Sequence, residues 1–85
     1  MAKAPSILDQ VTTVLRGLAP GQPATIRAED RLIDQLGFDS VSLARAIVEM
    51  EDSFGVELPQ DRLHELRSAT VAEVAGLIEA VRNRA

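Results

Sequence analysis

Apolar residues along the chain fall into three blocks with helical spacing, separated by one long and one short interruption. In the first block, Ile7, Leu8, Val11, Val14, Leu15 and Leu18 recur every three or four residues, which gathers them on one face of a helix. Ser6 is the expected N-cap. Pro20-Gly21-Gln22-Pro23 ends the helix near Leu18, because proline removes a backbone donor and clashes with the preceding turn. The second block begins at Asp39 or Ser40 and runs to Phe54, with Gly55 placed to close it in the left-handed conformation. At ~100° per residue, Leu43, Ala46, Ile47, Met50 and Phe54 share an arc of about 100°, which predicts the core face. Val41, Ala44 and Val48 fall on a separate stripe beside Arg45, Glu51 and Asp52, and are expected to be exposed. The third block, Val71, Val74, Ala75, Leu77, Ile78 and Val81, predicts a last helix. It opens on a Thr70…Glu73 capping box and ends at Arg82-Asn83-Arg84, where cations complement the C-terminal end of the dipole.

The interruptions carry structure of their own. Between Ala19 and Asp39 lie roughly twenty residues, against the ~2 to 8 that ordinarily join helices. Ile26, Leu32, Ile33, Leu36 and Phe38 are expected to pin this connection to the core, and Asp30 to cap a short turn reaching Gln35, making an ordered loop with a function. After Gly55, Val56 to Pro59 reads as extended, since proline biases the residue before it away from the helical region. A short helix from Gln60 or Asp61 to Leu66 then turns Leu63 and Leu66 inward. The expected fold is all-α: a four-helix bundle with three main helices, one short third helix and a long loop between helices one and two, forming a single domain over residues 1–85.

Composition sharpens this picture. At 85 residues the chain buries only about 60% of its unfolded surface, so its core is thin. Phe38 and Phe54 are its only aromatic residues, which leaves the core to Leu, Val, Ile and Ala. Without cysteine the chain has no disulfide, thiolate metal site or nucleophilic thiol, and no metal site is expected from one histidine and scattered carboxylates. No apolar run approaches the ~20 residues of a membrane span, so the expectation is a cytoplasmic, monomeric protein without membrane contact. The net charge of −4 is uneven: Glu29 to Glu65 holds −7, and the two ends together hold +3. Such a field opposes nucleic-acid binding and favours partners with basic surfaces, the alternative being a solvated acidic face with no partner.

The candidate chemistry centres on Leu36-Gly37-Phe38-Asp39-Ser40-Val41, where the long connection enters the second helix. Small polar residues prefer helix starts for structural reasons alone, so Ser40 and Asp39 read equally as plain capping. A serine hydrolase would need a base beside Ser40, and His64, the only histidine, shows no sign of reaching it and is expected at the surface or its boundary. The run matches neither a nucleophile elbow nor a phosphate loop, and the acids lack calcium-loop spacing. No catalytic constellation remains, and the chain is not expected to be an enzyme.

Three motifs in order do resemble a known family. Leu36-Gly37-Phe38-Asp39-Ser40-Val41, Met50-Glu51-Asp52-Ser53-Phe54-Gly55-Val56-Glu57-Leu58-Pro59 and Ala69-Thr70-Val71-Ala72-Glu73-Val74 are similar to acyl carrier proteins of the phosphopantetheine-attachment family, at the family's separations. The resemblance runs from helix one to about Val81. It implies that Ser40 receives 4'-phosphopantetheine from coenzyme A through a phosphopantetheinyl transferase, with Asp39 as cap and as a contact or metal-positioning carboxylate for that enzyme, and with Gly37 allowing the tight approach. It implies a terminal thiol on the arm that holds acyl groups as thioesters, supplied and consumed by enzymes such as a ketosynthase, an acyltransferase or an acyl ligase. It implies docking through Val41, Ala44, Arg45, Val48, Glu51 and Asp52, and a pliable acyl cavity lined by Leu43, Ala46, Ile47 and Met50, whose alternative role is ordinary core. Val41, where leucine is commonest, Ala44, where a bulkier residue is frequent, and Arg45, on a helix usually more uniformly acidic, depart from the fatty-acid carriers. They favour a polyketide or specialised fatty-acyl pathway. A peptidyl or aminoacyl carrier loaded by an adenylating enzyme, and an unmodified helical interaction module, remain as alternatives.

Overall fold

Ser6 accepts a hydrogen bond from Asp9 N–H through its hydroxyl (3.1 Å) and so opens the first helix, α1, Ile7–Leu18. The structure, a computed structural model, describes residues 6–84 without the Arg84 side chain; the first five residues and the last of the expected 1–85 domain, and the expected part of the Arg84 cation at the helix end, lie outside the described residues. Two further α-helices follow, α2 over Ser40–Phe54 and α3 over Val71–Arg84, with a 3-10 helix over Gln60–Arg67 between them. The described residues contain no strand, only one isolated bridge between Arg31 and Thr70. The fold is all-α, as expected.

Helix α1 packs on both α2 and α3. Val11 and Leu15 from α1, Met50 from α2, and Val71, Val74 and Ile78 from α3 are completely buried, and Leu66 of the 3-10 helix is nearly so. Each such aliphatic side chain contributes about 1.5 to 3 kcal/mol by leaving water. No buried side-chain nitrogen or oxygen among the described residues lacks a hydrogen-bond partner. Gly55 closes α2 at φ 65° and ψ 36°, the left-handed conformation expected of it, and its N–H donates to Glu51 C=O.

The long connection is as much core as the helices. Leu32, Leu36 and Phe38 are 0, 1 and 2% exposed, and Ile26 is buried beside them. Ile33 is the exception at 39%, which corrects the expectation that all five apolar residues pin the loop. The cause is local: Gln35 and Leu36 N–H donate to Arg31 C=O, and Gly37 N–H to Ile33 C=O, so residues 31–37 form a helical turn. Leu32 and Leu36 then lie four apart on its inner side, while Ile33 faces out.

Asp30 also differs from expectation. Its carboxylate reaches back to Arg27 N–H (2.9 Å), and the turn beginning at Arg31 is capped by Gln35, whose Oε1 accepts Arg31 N–H at 2.6 Å. The backbone before that turn serves α3 instead. Asp30 and Ala28 C=O accept Val71 and Ala72 N–H at 2.9 Å each, donors that a helix N-terminus otherwise leaves unpaired. Arg31 Nη1 donates to Ser68 C=O (2.8 Å) at the same junction. The expected Thr70…Glu73 box completes the start of α3, with Thr70 N–H donating to Glu73 Oε1 (2.8 Å) and Glu73 N–H to Thr70 Oγ1 (3.2 Å).

Candidate functional site at the start of α2

Alternating burial carries the chain into α2. Leu36 and Phe38 point inward, and Gly37, Asp39 and Ser40 are exposed. Gly37 has φ 77°, and a Cβ there would stand 3.3 Å from Gly21 N, so the two glycines allow the backbone leaving α1 to pass close to the backbone approaching α2. The tight approach expected of Gly37 is present, and its partner Gly21 was not foreseen.

Asp39 is the N-cap. Its Oδ1 accepts both the N–H and the hydroxyl of Ser42, each at 2.8 Å, while Ser42 Oγ accepts Asp39 N–H at 2.9 Å. The Ser42 N–H, then its hydroxyl, hold the Asp39 carboxyl below the usual aspartate range. Ser42 is a residue that the sequence reading missed; the Asp-x-x-Ser spacing, a short form of the capping box, was the available signal.

Ser40 is the first residue of α2 and exposed. It does not cap the helix. Its Oγ accepts a hydrogen bond from Nη2 of Arg67 (3.2 Å), the last residue of the 3-10 helix. Arginine stays protonated at any accessible pH and cannot accept the serine proton, so this contact supplies no general base. His64 is exposed. Among the described residues no three His, Cys, Asp or Glu side chains are grouped to hold a metal. Arg67 was also missed by the sequence reading, since nothing local ties it to a serine 27 positions earlier.

Beyond Ser40, α2 divides as expected. Val41 is 73% and Val48 56% exposed, and Ala44, Arg45 and Asp52 are exposed with them. Glu51 is half-buried instead, and its Oε2 accepts Leu58 N–H at 2.9 Å, pinning the segment that follows α2. On the other side, Leu43, Ala46 and Met50 are packed in the core. Ile47 is only partly buried and lines a shallow groove of about 620 Å³ between α2 and the 3-10 helix, together with Val48, Val56 and Leu63 and with Asp52 and Glu57.

Residues 9–78 match the family described as Phosphopantetheine attachment site. The chain belongs to this family of acyl carrier proteins. It is 34% identical over 73 residues to an acyl carrier protein of Thermobifida fusca, covering 86% of this chain and 90% of that protein. An acyl carrier protein of Bdellovibrio bacteriovorus is 33% identical over 79 residues, covering 93% and 94% of the two chains. The meromycolate extension acyl carrier protein of Mycobacterium tuberculosis is 33% identical over 73 residues, which is 86% of this chain and 56% of that protein. Members of the family are carriers and not catalysts, and the group attached to them is phosphopantetheine. The start of α2 fits such a group: an exposed hydroxyl stands at a positive helix end, with the cap already made by another residue and a guanidinium within hydrogen-bond reach.

Proposed function

We propose that Ser40 is the attachment point of 4'-phosphopantetheine, transferred from coenzyme A by a phosphopantetheinyl transferase, and that residues 1–85 act as one acyl-carrier domain. The observation that carries this reading is the position of the Ser40 hydroxyl, exposed at the first residue of α2 beside a cap that does not use it. When bound, the group supplies a flexible arm ending in a thiol, which holds acyl cargo as a thioester and makes good the absence of cysteine. Asp39 keeps the helix start fixed and offers its carboxylate to the transferase, while Gly37 lets the loop approach without crowding the serine.

The exposed stripe of Val41, Ala44 and Val48, edged by Arg45, Glu51 and Asp52, serves as the docking face for enzymes that load and process the cargo. Asp52 supplies its free acidic charge, since the Glu51 carboxylate is engaged by Leu58 N–H. Such enzymes include a ketosynthase and an acyltransferase or acyl ligase. Ile47 is the entrance through which an acyl chain reaches toward Leu43, Ala46 and Met50. We assign the carrier to polyketide or specialised fatty-acyl synthesis; Val41, Ala44 and Arg45 support this, because they make the docking face smaller and less acidic than that of a general fatty-acid carrier.

Intact mass after incubation with coenzyme A and a broad-specificity phosphopantetheinyl transferase tests the assignment. One adduct is expected on the native chain and none on Ser40→Ala. A native chain left unmodified, under conditions that convert a control carrier completely, would overturn it.

A further inference from the structure

The contact between Arg67 and Ser40 joins two elements that sequence keeps 27 residues apart, and no capping or core requirement accounts for it. Both residues are exposed, so the hydrogen bond is not needed to satisfy a buried group. Two neighbouring acids are engaged elsewhere through at least one oxygen each. Glu65, the acid closest to Arg67 in the chain, is paired with Arg62 at 2.8 Å. Asp39, next to Ser40, has its Oδ1 turned onto the N–H and hydroxyl of Ser42. Among the described residues, Ser40 Oγ is the one hydrogen-bond partner of the Arg67 guanidinium.

An anion placed on Ser40 would meet an adverse field. The Asp39 carboxylate is its immediate neighbour, held ionised by the Ser42 hydrogen bonds, and the stretch from Glu29 to Glu65 carries −7. The positive end of α2 offsets part of this, by an amount that falls off within one turn. A phosphodiester on Ser40 converts Oγ from a hydroxyl into an ester oxygen, a weaker acceptor, and places two unesterified oxygens, which share one negative charge, two bonds beyond it across the phosphorus. A guanidinium already 3.2 Å from Oγ is close enough to turn onto them, and its planar fork of N–H donors suits two phosphate oxygens.

From this we propose that Arg67 is a phosphate-binding residue for the prosthetic arm, exchanging its hydrogen bond to the Ser40 hydroxyl for a charge-assisted one to the phosphodiester. The proposal rests on attachment at Ser40. Its effect is to hold the root of the arm toward the 3-10 helix, leaving the arm's far end mobile.

Phosphorus NMR of the modified protein reads the contact directly. Native protein, Arg67→Gln and Arg67→Lys are compared with Arg62→Gln, which removes the same charge from the same helix, and conversion of each is first shown by mass. The expected result at low salt is a phosphodiester resonance displaced in Arg67→Gln, intermediate in Arg67→Lys and unmoved in Arg62→Gln. As the Debye length shrinks to ~3 Å near 1 M salt, the native resonance is expected to move toward that of Arg67→Gln. Nitrogen-15 spectra should in parallel show the Arg67 side-chain signals shifting between unmodified and modified native protein. Superimposed phosphorus resonances in native and Arg67→Gln proteins, with conversion complete, would overturn the role of Arg67 and leave attachment at Ser40 intact. Equal displacement in Arg67→Gln and Arg62→Gln would reduce the effect to net charge and also overturn it. No adduct on the native chain would remove the attachment itself and the proposal with it.

Discussion

Asp39 and Glu73 are the carboxylates of the capping boxes at the starts of α2 and α3, Asp39 as the cap and Glu73 as the third helical residue, and each is held below its ordinary carboxylate range by hydrogen bonds from a residue three positions away. For Asp39 the leading cause is Ser42 N–H, followed by the Ser42 hydroxyl; for Glu73 it is Thr70 N–H, then the Thr70 side chain, with Arg31 adding a smaller pull. A depressed folded pKa means that the ionised cap stabilises the protein above the unfolded value, near pH 4, and that this stability is lost as pH falls through the folded value. The thermal midpoint is therefore expected to drop on acidification below about pH 4, and to drop less steeply in Asp39→Asn and Glu73→Gln. Unchanged slopes in both variants would show that other groups govern the acid limb. Ser42→Ala removes the reciprocal half of the α2 cap and is expected to cost about 0.5 to 2 kcal/mol in urea unfolding, without preventing modification of Ser40. At this scale the sequence spoke clearly for Ser6, Thr70 and Glu73, whose capping partners lie within three residues, and left Asp39 and Ser40 both open as the cap of α2 until the resemblance favoured Asp39. It was silent on Arg67, because its contact to Ser40 exists only once α2 and the 3-10 helix are placed together.

Helices and loop differ less in burial than in spacing. The turn at residues 31–37 sets Leu32 and Leu36 inward and Ile33 outward. Leu36→Ala is accordingly expected to cost about 2 to 5 kcal/mol, as for a helix core residue, whereas Ile33→Ala should stay within roughly 0.5 kcal/mol of the native protein. Equal effects in denaturant titrations would mean that the loop does not form part of the core. A similar contrast separates two neighbouring acids on α2. Glu51→Ala leaves the Leu58 N–H unpaired at a part-buried position and is expected to cost about 1 to 2 kcal/mol, while Asp52→Ala, with no such partner, should cost under about 0.5. The three α-helices were legible because long amphipathic periods and caps agree with each other. The 3-10 form of Gln60–Arg67 was harder to read, although Leu63 and Leu66, three apart in a segment with no other apolar residue, match three residues per turn. The placement of Asp30 could not be read from spacing, since carboxylates cap turns on either side and the choice depends on where Gln35 falls.

On the scale of the whole molecule, a described chain with a radius of gyration of 12.1 Å covers its core yet leaves Val41 and Val48 on one exposed helical face. No helix among the described residues is long and apolar enough to cross a membrane. Arg45 interrupts the acidic character of that face, and Arg45→Glu is expected to raise turnover by enzymes of a general fatty-acid synthase, read as the rate of acyl loading and elongation; lower or unchanged rates would show that this charge does not set partner choice. The fold was available from apolar periodicity and caps, and the family from three motifs and their separations. Which partner the face fits was not, because that depends on a second surface.

The division of labour at the start of α2 reaches beyond the site itself. Because Asp39 and Ser42 cap the helix, Ser40, the proposed attachment point, has no part in the cap. Attachment at Ser40, as proposed, leaves the atoms that cap the helix chemically unaltered, since those belong to Asp39 and Ser42. For cargo that stays outside the bundle, the difference between a charged and a spent carrier then lies at the far end of the arm, and the helix start presents the same cap in both.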